Sequence, residues 1–198
     1  MVEHCNDPFV KKAQKAGYRS RSAYKLLEID QRDGLFRRGD TVVDLGAAPG
    51  GWSQVATEQI GEEGRVIAID VLPIDPIPGV VTLKGDMRDR RMQDRITELL
   101  AGNSAQVVIS DMAPNITGSN VLDQPKILQV AESALESGIR FLVPGGHFLV
   151  KIFQGEGFDA FVRAVQHSFA KTRVRKPKAS RASSREVYIL GLGLLPGA

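Results

Sequence analysis

The segment DLGAAPGGWSQ (44–54) constrains this chain more than any other, because the run TVV (41–43) feeds it into a glycine-rich turn that opens a helical pattern. In such a strand–turn–helix unit the ligand lies beyond the carboxyl end of the strand. Gly46, Ala47, Ala48, Gly50 and Gly51 leave room for the backbone to pass close to a ligand, while Pro49 stiffens the loop and offers no amide donor. The spacing departs from GxGxxG, whose second glycine lets the chain approach a pyrophosphate; here Ala48 stands two residues after Gly46. That substitution favours an adenosyl ligand without phosphates, such as S-adenosylmethionine, over a dinucleotide. An ordinary tight turn between strand and helix would need no ligand at all.

Seven segments read as strands: 41–45, 65–70, 80–86, 106–111, 146–153, 171–176 and 186–194. Helical patterns fall at 20–32, 51–60, 88–101, 123–140 and 156–169, with Ser20 and Asp123 as candidate N-caps and Gly34 and Gly102 as stop signals. Strand and helix alternate, which predicts a mostly parallel sheet covered on both faces. The last two strands are joined by too few residues for a crossover helix, so they are expected to pair antiparallel. The length suits one domain over 1–198, with a basic helical extension at 8–34 and a core at 40–194. The loop 176–185, KPKASRASSR, has the composition of a mobile segment.

One cysteine, Cys5, excludes an internal disulfide, and His4, His147 and His167 lack metal-ligand spacing. No apolar run approaches the roughly 20 residues that span a bilayer, and the N-terminus lacks a signal-peptide pattern. A reduced, metal-free, cytoplasmic protein is expected. No heptad or long amphipathic surface suggests an interface, so a monomer is expected as well. Charge is strongly segregated. Windows 11–25 (Lys11, Lys12, Lys15, Arg19, Arg21, Lys25) and 171–185 (Lys171, Arg173, Arg175, Lys176, Lys178, Arg181, Arg185) hold thirteen of the 26 basic residues and no acid, leaving 13 bases against 23 acids elsewhere. An acidic body with two basic segments predicts a polyanionic partner, and if the termini meet the segments form one surface.

Four strand-like segments end in aspartate, Asp44, Asp70, Asp86 and Asp111, which places acids on the rim beside the glycine-rich turn. Asp70, 26 residues after Asp44, suits the ribose hydroxyls of an adenosyl group, and Asp86 suits its adenine amino group. Trp52 either covers the cofactor or packs in the core. Lys151 is unusual because it interrupts an otherwise apolar strand, HFLVKIF. It needs a carboxylate partner, and Asp111 and Glu186 are both candidates. Lys25, within SAYKLLEI, can complete the group.

DLGAAPGGWSQ, SDMAPN, LVKIFQGEGF, RSRSAYKLLEI and KPKASRASSREVYI together resemble the FtsJ family of ribose 2′-O-methyltransferases, over nearly the whole chain and in the same order. The resemblance implies a Rossmann-like class I methyltransferase fold: a seven-stranded, mostly parallel sheet with an antiparallel last strand and helices on both faces. It places the family's catalytic Lys-Asp-Lys-Glu tetrad on Lys25, Asp111, Lys151 and Glu186, and its S-adenosylmethionine contacts on Gly50, Trp52, Asp70, Asp86 and Asp111. The acceptor it implies is the A-loop uridine of 23S ribosomal RNA in the large (50S) subunit. In such a reaction a ribose hydroxyl attacks a sulfonium methyl in line, so positioning supplies much of the acceleration. Lys151 can either take the hydroxyl proton as a neutral amine or stabilise the developing oxyanion as an ammonium. The rival readings are a small-molecule methyltransferase, a methyltransferase of another RNA such as tRNA, a non-catalytic assembly factor on the same fold, and, more distantly, a nicotinamide-dependent dehydrogenase.

Overall fold

The computed structural model describes residues 7–114, 117, 120–181 and 183–198. His4, Cys5 and Asn115 of SDMAPN lie outside the described residues. The apolar segments become β1 (Thr41–Leu45), β2 (Arg65–Asp70), β3 (Val80–Lys84), β4 (Ala105–Ser110), β5 (Leu142–Phe153), β6 (Phe169–Arg175) and β7 (Glu186–Leu194). They form one sheet in the order β3-β2-β1-β4-β5-β7-β6. Strands β1 to β5 pair in parallel, and β7 runs antiparallel to both β5 and β6. Reversing β7 brings its first residues to the rim where the parallel strands end, and that reversal builds the site.

The described residues form six helices, of which α1 packs on α2: α1 (Pro8–Lys15), α2 (Ala23–Asp33), α3 (Gly51–Ile60), α4 (Arg90–Leu100), α5 (Asn120–Phe141) and α6 (Phe158–Ser168). Alternation along the strands sorts the core into two layers. Val43, Leu45 and Val108 meet Ile96 of α4, Ile127 and Ala131 of α5, and Phe161 of α6. On the other face Val42, Ile109 and Leu149 meet Leu26 and Ile29 of α2, and Trp52, Val55 and Ile60 of α3. Burying one such side chain contributes about 1.5–3 kcal/mol, so each face holds its helices firmly.

Several boundaries differ from those expected. The pattern at 20–32 starts late: α2 begins at Ala23 with Ser22 at its N-cap, while Ser20 hydrogen-bonds Ser22 Oγ at 2.6 Å. Pro8 opens α1, and Asp7 caps it by accepting the Phe9 amide at 2.9 Å. Asp123 lies inside α5, where its carboxylate accepts from the Thr117 amide and hydroxyl at 2.9 Å. Gly34 does end α2 in the left-handed region, whereas Ala101 takes that conformation ahead of Gly102 at the end of α4. Strand β3 stops at Lys84, so Asp86 sits in the following turn. Strand β5 starts four residues early, directly after α5, with a bulge where it first meets β4.

Asp44 is corrected more substantially. It does not stand on the rim; it is fully buried on the α3 side of β1, one layer below it, and accepts a 2.6 Å hydrogen bond from Ser53 Oγ of α3. Its Oδ1 has no hydrogen-bond partner among the described residues. Burial, aided by the nearby Asp111 and Asp70 charges and opposed by the Ser53 bond, raises its carboxyl to about 7. The folded protein therefore binds a proton here that the unfolded chain has released above about pH 4, so stability should fall as pH rises from about 5 through 7. Melting curves should show that slope in the wild type and a flatter profile in Asp44→Asn.

Candidate active site

Strand register sets the site. Asp111 follows the end of β4, one step beyond the Ser110–Val150 pair, and Lys151 on β5 pairs with Tyr188 on β7. Phe153 pairs with Glu186, so the antiparallel strand delivers an acid and a phenol to the same end. Lys25 reaches this row from the buried side of α2. All four tetrad positions are thus brought together.

They form two ion pairs joined by a tyrosine. Lys151 Nζ lies 3.0 Å from Asp111 Oδ1 and also donates to the Asp111 backbone carbonyl. Lys25 Nζ lies 2.6 Å from Glu186 Oε1, and its side chain is 8% exposed. The Tyr188 hydroxyl stands 2.9 Å from Asp111 Oδ1 and 3.2 Å from Glu186 Oε1. Ser180 Oγ donates to the same glutamate oxygen at 2.9 Å. Burial, reinforced by the two carboxylates, pushes the Tyr188 phenol well above its ordinary value, so it remains a hydrogen-bond donor. Burial would push Glu186 up, but the Lys25 charge and the bonds from Lys25 and Ser180 hold it below the usual carboxylate range. The alternatives for Lys151 are thereby resolved: Asp111 is its direct partner, and Glu186 belongs to Lys25.

Beside this row a cleft of about 590 Å³ opens at the carboxyl ends of β1, β2 and β4. Gly46, Ala48, Asp70, Val71, Leu72, Asp86, Met87, Asp111 and Met112 are among its walls. Gly46 is required there, since its φ is +74° and a Cβ would strike Met112. Asp70 is oriented by two backbone amides, Ala48 at 2.9 Å on Oδ2 and Leu72 at 2.8 Å on Oδ1. Asp86 is gripped by Arg88, whose hydrogen bonds to it hold its carboxyl below the ordinary value. Gly50 and Trp52 do not line this cleft. The Trp52 indole is buried, donates to the Ser22 carbonyl at 2.9 Å and packs 5.6 Å from the Tyr188 ring, which decides between its two readings in favour of the core.

A sequence model of the FtsJ-like methyltransferase family matches residues 18–194. The chain belongs to the FtsJ-like methyltransferase family. It is 53% identical over 193 residues to ribosomal RNA large subunit methyltransferase E of Marinobacter nauticus, covering 98% of this chain and 93% of that protein. The protein of the same name from an Azoarcus species is 52% identical over 194 residues, covering 98% and 95%. Among solved structures, a ribosomal RNA methyltransferase from Plasmodium falciparum superposes with a TM-score of 0.82 at 26% identity, covering 90% of this chain and 99% of that one. A Clostridium thermocellum chain at 19% identity and TM-score 0.58, covering 86% and 97%, shares the fold.

In this FtsJ-like chain both basic segments pack on α2, the first through Tyr24, which donates to the Lys12 carbonyl at 3.2 Å. Arg173 and Arg175 of β6 converge on Asp33 at the end of α2, whose side chain is wholly enclosed; hydrogen bonds from Arg175 and then Arg173 hold its carboxyl low. The Lys178 amide donates to Glu28 at 2.8 Å. These contacts correct the even-handed count of thirteen cations: Lys25 is buried, and Arg19, Arg21, Arg173 and Arg175 are half-buried, leaving Lys11, Lys12, Lys15, Lys171, Lys176, Lys178, Arg181 and Arg185 exposed. Sequence reasoning missed Tyr188 and Ser180. The signal for Tyr188 was its place two residues after Glu186, on the same strand face; Ser180 carried none, because a loop residue has no register.

Removing one member of the buried Lys25–Glu186 pair leaves an unpaired charge, a loss of about 3–5 kcal/mol in a fully buried case. Glu186→Gln should therefore lower the melting temperature by several degrees, and adding Lys25→Met should recover part of that loss. A double variant as unstable as the sum of both single changes would show that the pair is not coupled.

Proposed function

We propose that this protein transfers a methyl group from S-adenosylmethionine to the ribose 2′-hydroxyl of a uridine in the A-loop of 23S ribosomal RNA, on the large ribosomal subunit, in support of late subunit assembly. The observation that carries this reading is the Lys25–Glu186–Tyr188–Asp111–Lys151 row, set between an adenosyl-sized cleft and an exposed basic surface. The names of the two bacterial relatives agree with it.

The cleft suits the cofactor. Its volume lies within the roughly 300–1,000 Å³ of small-molecule sites, it offers apolar walls in Leu72, Met87 and Met112, and its acids present acceptors rather than phosphate-binding donors. Asp70 would take the ribose hydroxyls with the lone pairs its two amide bonds leave free, and Asp86 would accept from the adenine amino group. Asp111 would close the inner end. Gly50 and Trp52, which do not line the cleft, would act on it only by shaping the turn and the start of α3 to which they belong. Bound S-adenosylmethionine supplies an electrophilic methyl on a sulfonium.

The chain's own groups do the rest. Two of the three positions on Lys151 Nζ face Asp111, and the third would engage the attacking hydroxyl, as an ammonium N–H donating to its oxygen or as the lone pair of the neutral amine that takes its proton. Asp111 fixes the direction of Lys151, and Tyr188 fixes Asp111. Lys25, anchored by Glu186, would hold the target ribose and its neighbouring phosphate. The eight exposed cations would grip the RNA backbone, giving an affinity that falls steeply with salt.

The test is methyl transfer from labelled cofactor to large-subunit particles isolated from cells lacking this protein, followed by nucleotide mapping. Label on one A-loop uridine as a 2′-O-methyl group is expected, with none on a panel of small acceptors. A base-methylated nucleotide, or efficient transfer to a small acceptor or to tRNA, would overturn the reading.

A further inference from the structure

Arg19 sits in the basic window expected to face a polyanion, yet its guanidinium points inward. It lies in the linker between α1 and α2, where Nη1 donates to the Pro49 carbonyl at 3.1 Å and the Asp75 carbonyl at 2.7 Å, and Nη2 donates to the Pro76 carbonyl at 2.8 Å. Its own backbone amide donates to Gln54 Oε1 at 2.9 Å, and Gln54 returns a bond to the Gly17 carbonyl at 3.0 Å. One planar fork thus ties together three segments: the N-terminal linker, the glycine-rich turn and the loop between β2 and β3. The last two border the cleft, one through Gly46 and Ala48 and the other through Val71 and Leu72.

The contact leaves no slack. Gly50 has φ +109°, and a Cβ built there would stand 3.0 Å from Arg19 Nη1 and 2.6 Å from Ile77 Cδ1. Ile77 follows the two residues that Arg19 holds, so the turn needs glycine where the fork and the second loop close over it. Val71 and Leu72 are 58% and 61% exposed, and besides Arg19 the loop is tied to the turn by Asp70, which accepts the Ala48 and Leu72 amides. Lysine could not replace the fork, because a single ammonium on a flexible stem cannot span carbonyls of two loops with fixed geometry.

We propose that Arg19 is a positioning residue of the cofactor cleft and not one of the RNA phosphate contacts. It sets the spacing between the glycine-rich turn and the Val71–Leu72 wall, so its loss weakens cofactor binding while leaving the Lys151 chemistry intact. The inference rests on reading the cleft as the S-adenosylmethionine site.

The experiment titrates S-adenosylmethionine into wild type, Arg19→Ala and Arg19→Lys by calorimetry, and measures turnover and the salt dependence of ribosomal RNA binding. Losing about three hydrogen bonds from a charged donor should weaken cofactor binding about tenfold or more in Arg19→Ala. Arg19→Lys should fall between the two. KM for S-adenosylmethionine should rise in parallel, kcat at saturating cofactor should stay within about twofold, and the salt slope of RNA binding should not change. If Arg19→Ala melts below the assay temperature, the charge-preserving Arg19→Lys carries the test, with weakened cofactor binding and an unchanged salt slope expected. Unchanged cofactor affinity, or a smaller salt slope with weaker RNA binding, would overturn the inference. Absence of cofactor binding by the wild type would instead overturn the reading of the cleft on which it rests.

Discussion

The pairing of Lys151 on β5 with Tyr188 on β7 is the contact on which the rest of the site depends. Parallel strands alone would bring acids to their carboxyl ends but no acid from a strand running the other way. Because β7 is reversed, Glu186 and Tyr188 arrive at the rim, and the phenol stands within hydrogen-bond distance of both Asp111 and Glu186. Two ion pairs are thereby held at low exposure with their carboxylates on either side of the Tyr188 hydroxyl, an arrangement that would be costly for any one of the four charges alone. Chains of hydrogen bonds of this kind polarise one another and fix side-chain directions. Asp111 is the member of the row that lines the cleft, and it fixes the direction of the Lys151 amine behind it.

The same economy of placement governs charge. Basic segments near both ends of the chain pack on α2: Tyr24 donates to the Lys12 carbonyl, Asp33 gathers Arg173 and Arg175, and Glu28 receives the Lys178 amide. Asp33 neutralises the inner arginines, and six lysines with Arg181 and Arg185 are left exposed. A flexible, strongly hydrated lysine suits sequence-independent contact with a phosphate backbone, whereas the arginine forks serve better as internal ties. Arg19 follows that division, since its donors are directed at backbone carbonyls within the fold.

Much of this was legible in the sequence. Short segments bounded by glycine, proline or charged turns marked all seven strands, and the short span between the last two fixed their antiparallel pairing. A lone lysine inside HFLVKIF declared itself by violating the burial pattern, and the structure gives it a partner. Other parts could not be read. Asp44 and Asp111 look alike as acids at strand ends, but only the alternation of faces and the arrival of Ser53 from α3 show that Asp44 is buried beneath the rim. Trp52 was ambiguous because an aromatic after a glycine-rich turn can face either way, and the Ser22 carbonyl that captures its indole lies 30 residues away in sequence. The basic windows announced their charge but not the direction of each side chain, which depends on acceptors in remote segments.

Single-turnover methyl transfer by Lys151→Met, which removes the amine and keeps the stem, tests the central claim most directly. The row as described predicts that this variant binds S-adenosylmethionine and large-subunit particles with affinities close to those of the wild type, yet transfers methyl at less than about a hundredth of its rate, the lower end of what a positioned acid–base group contributes. Transfer at a near-wild-type rate would contradict it.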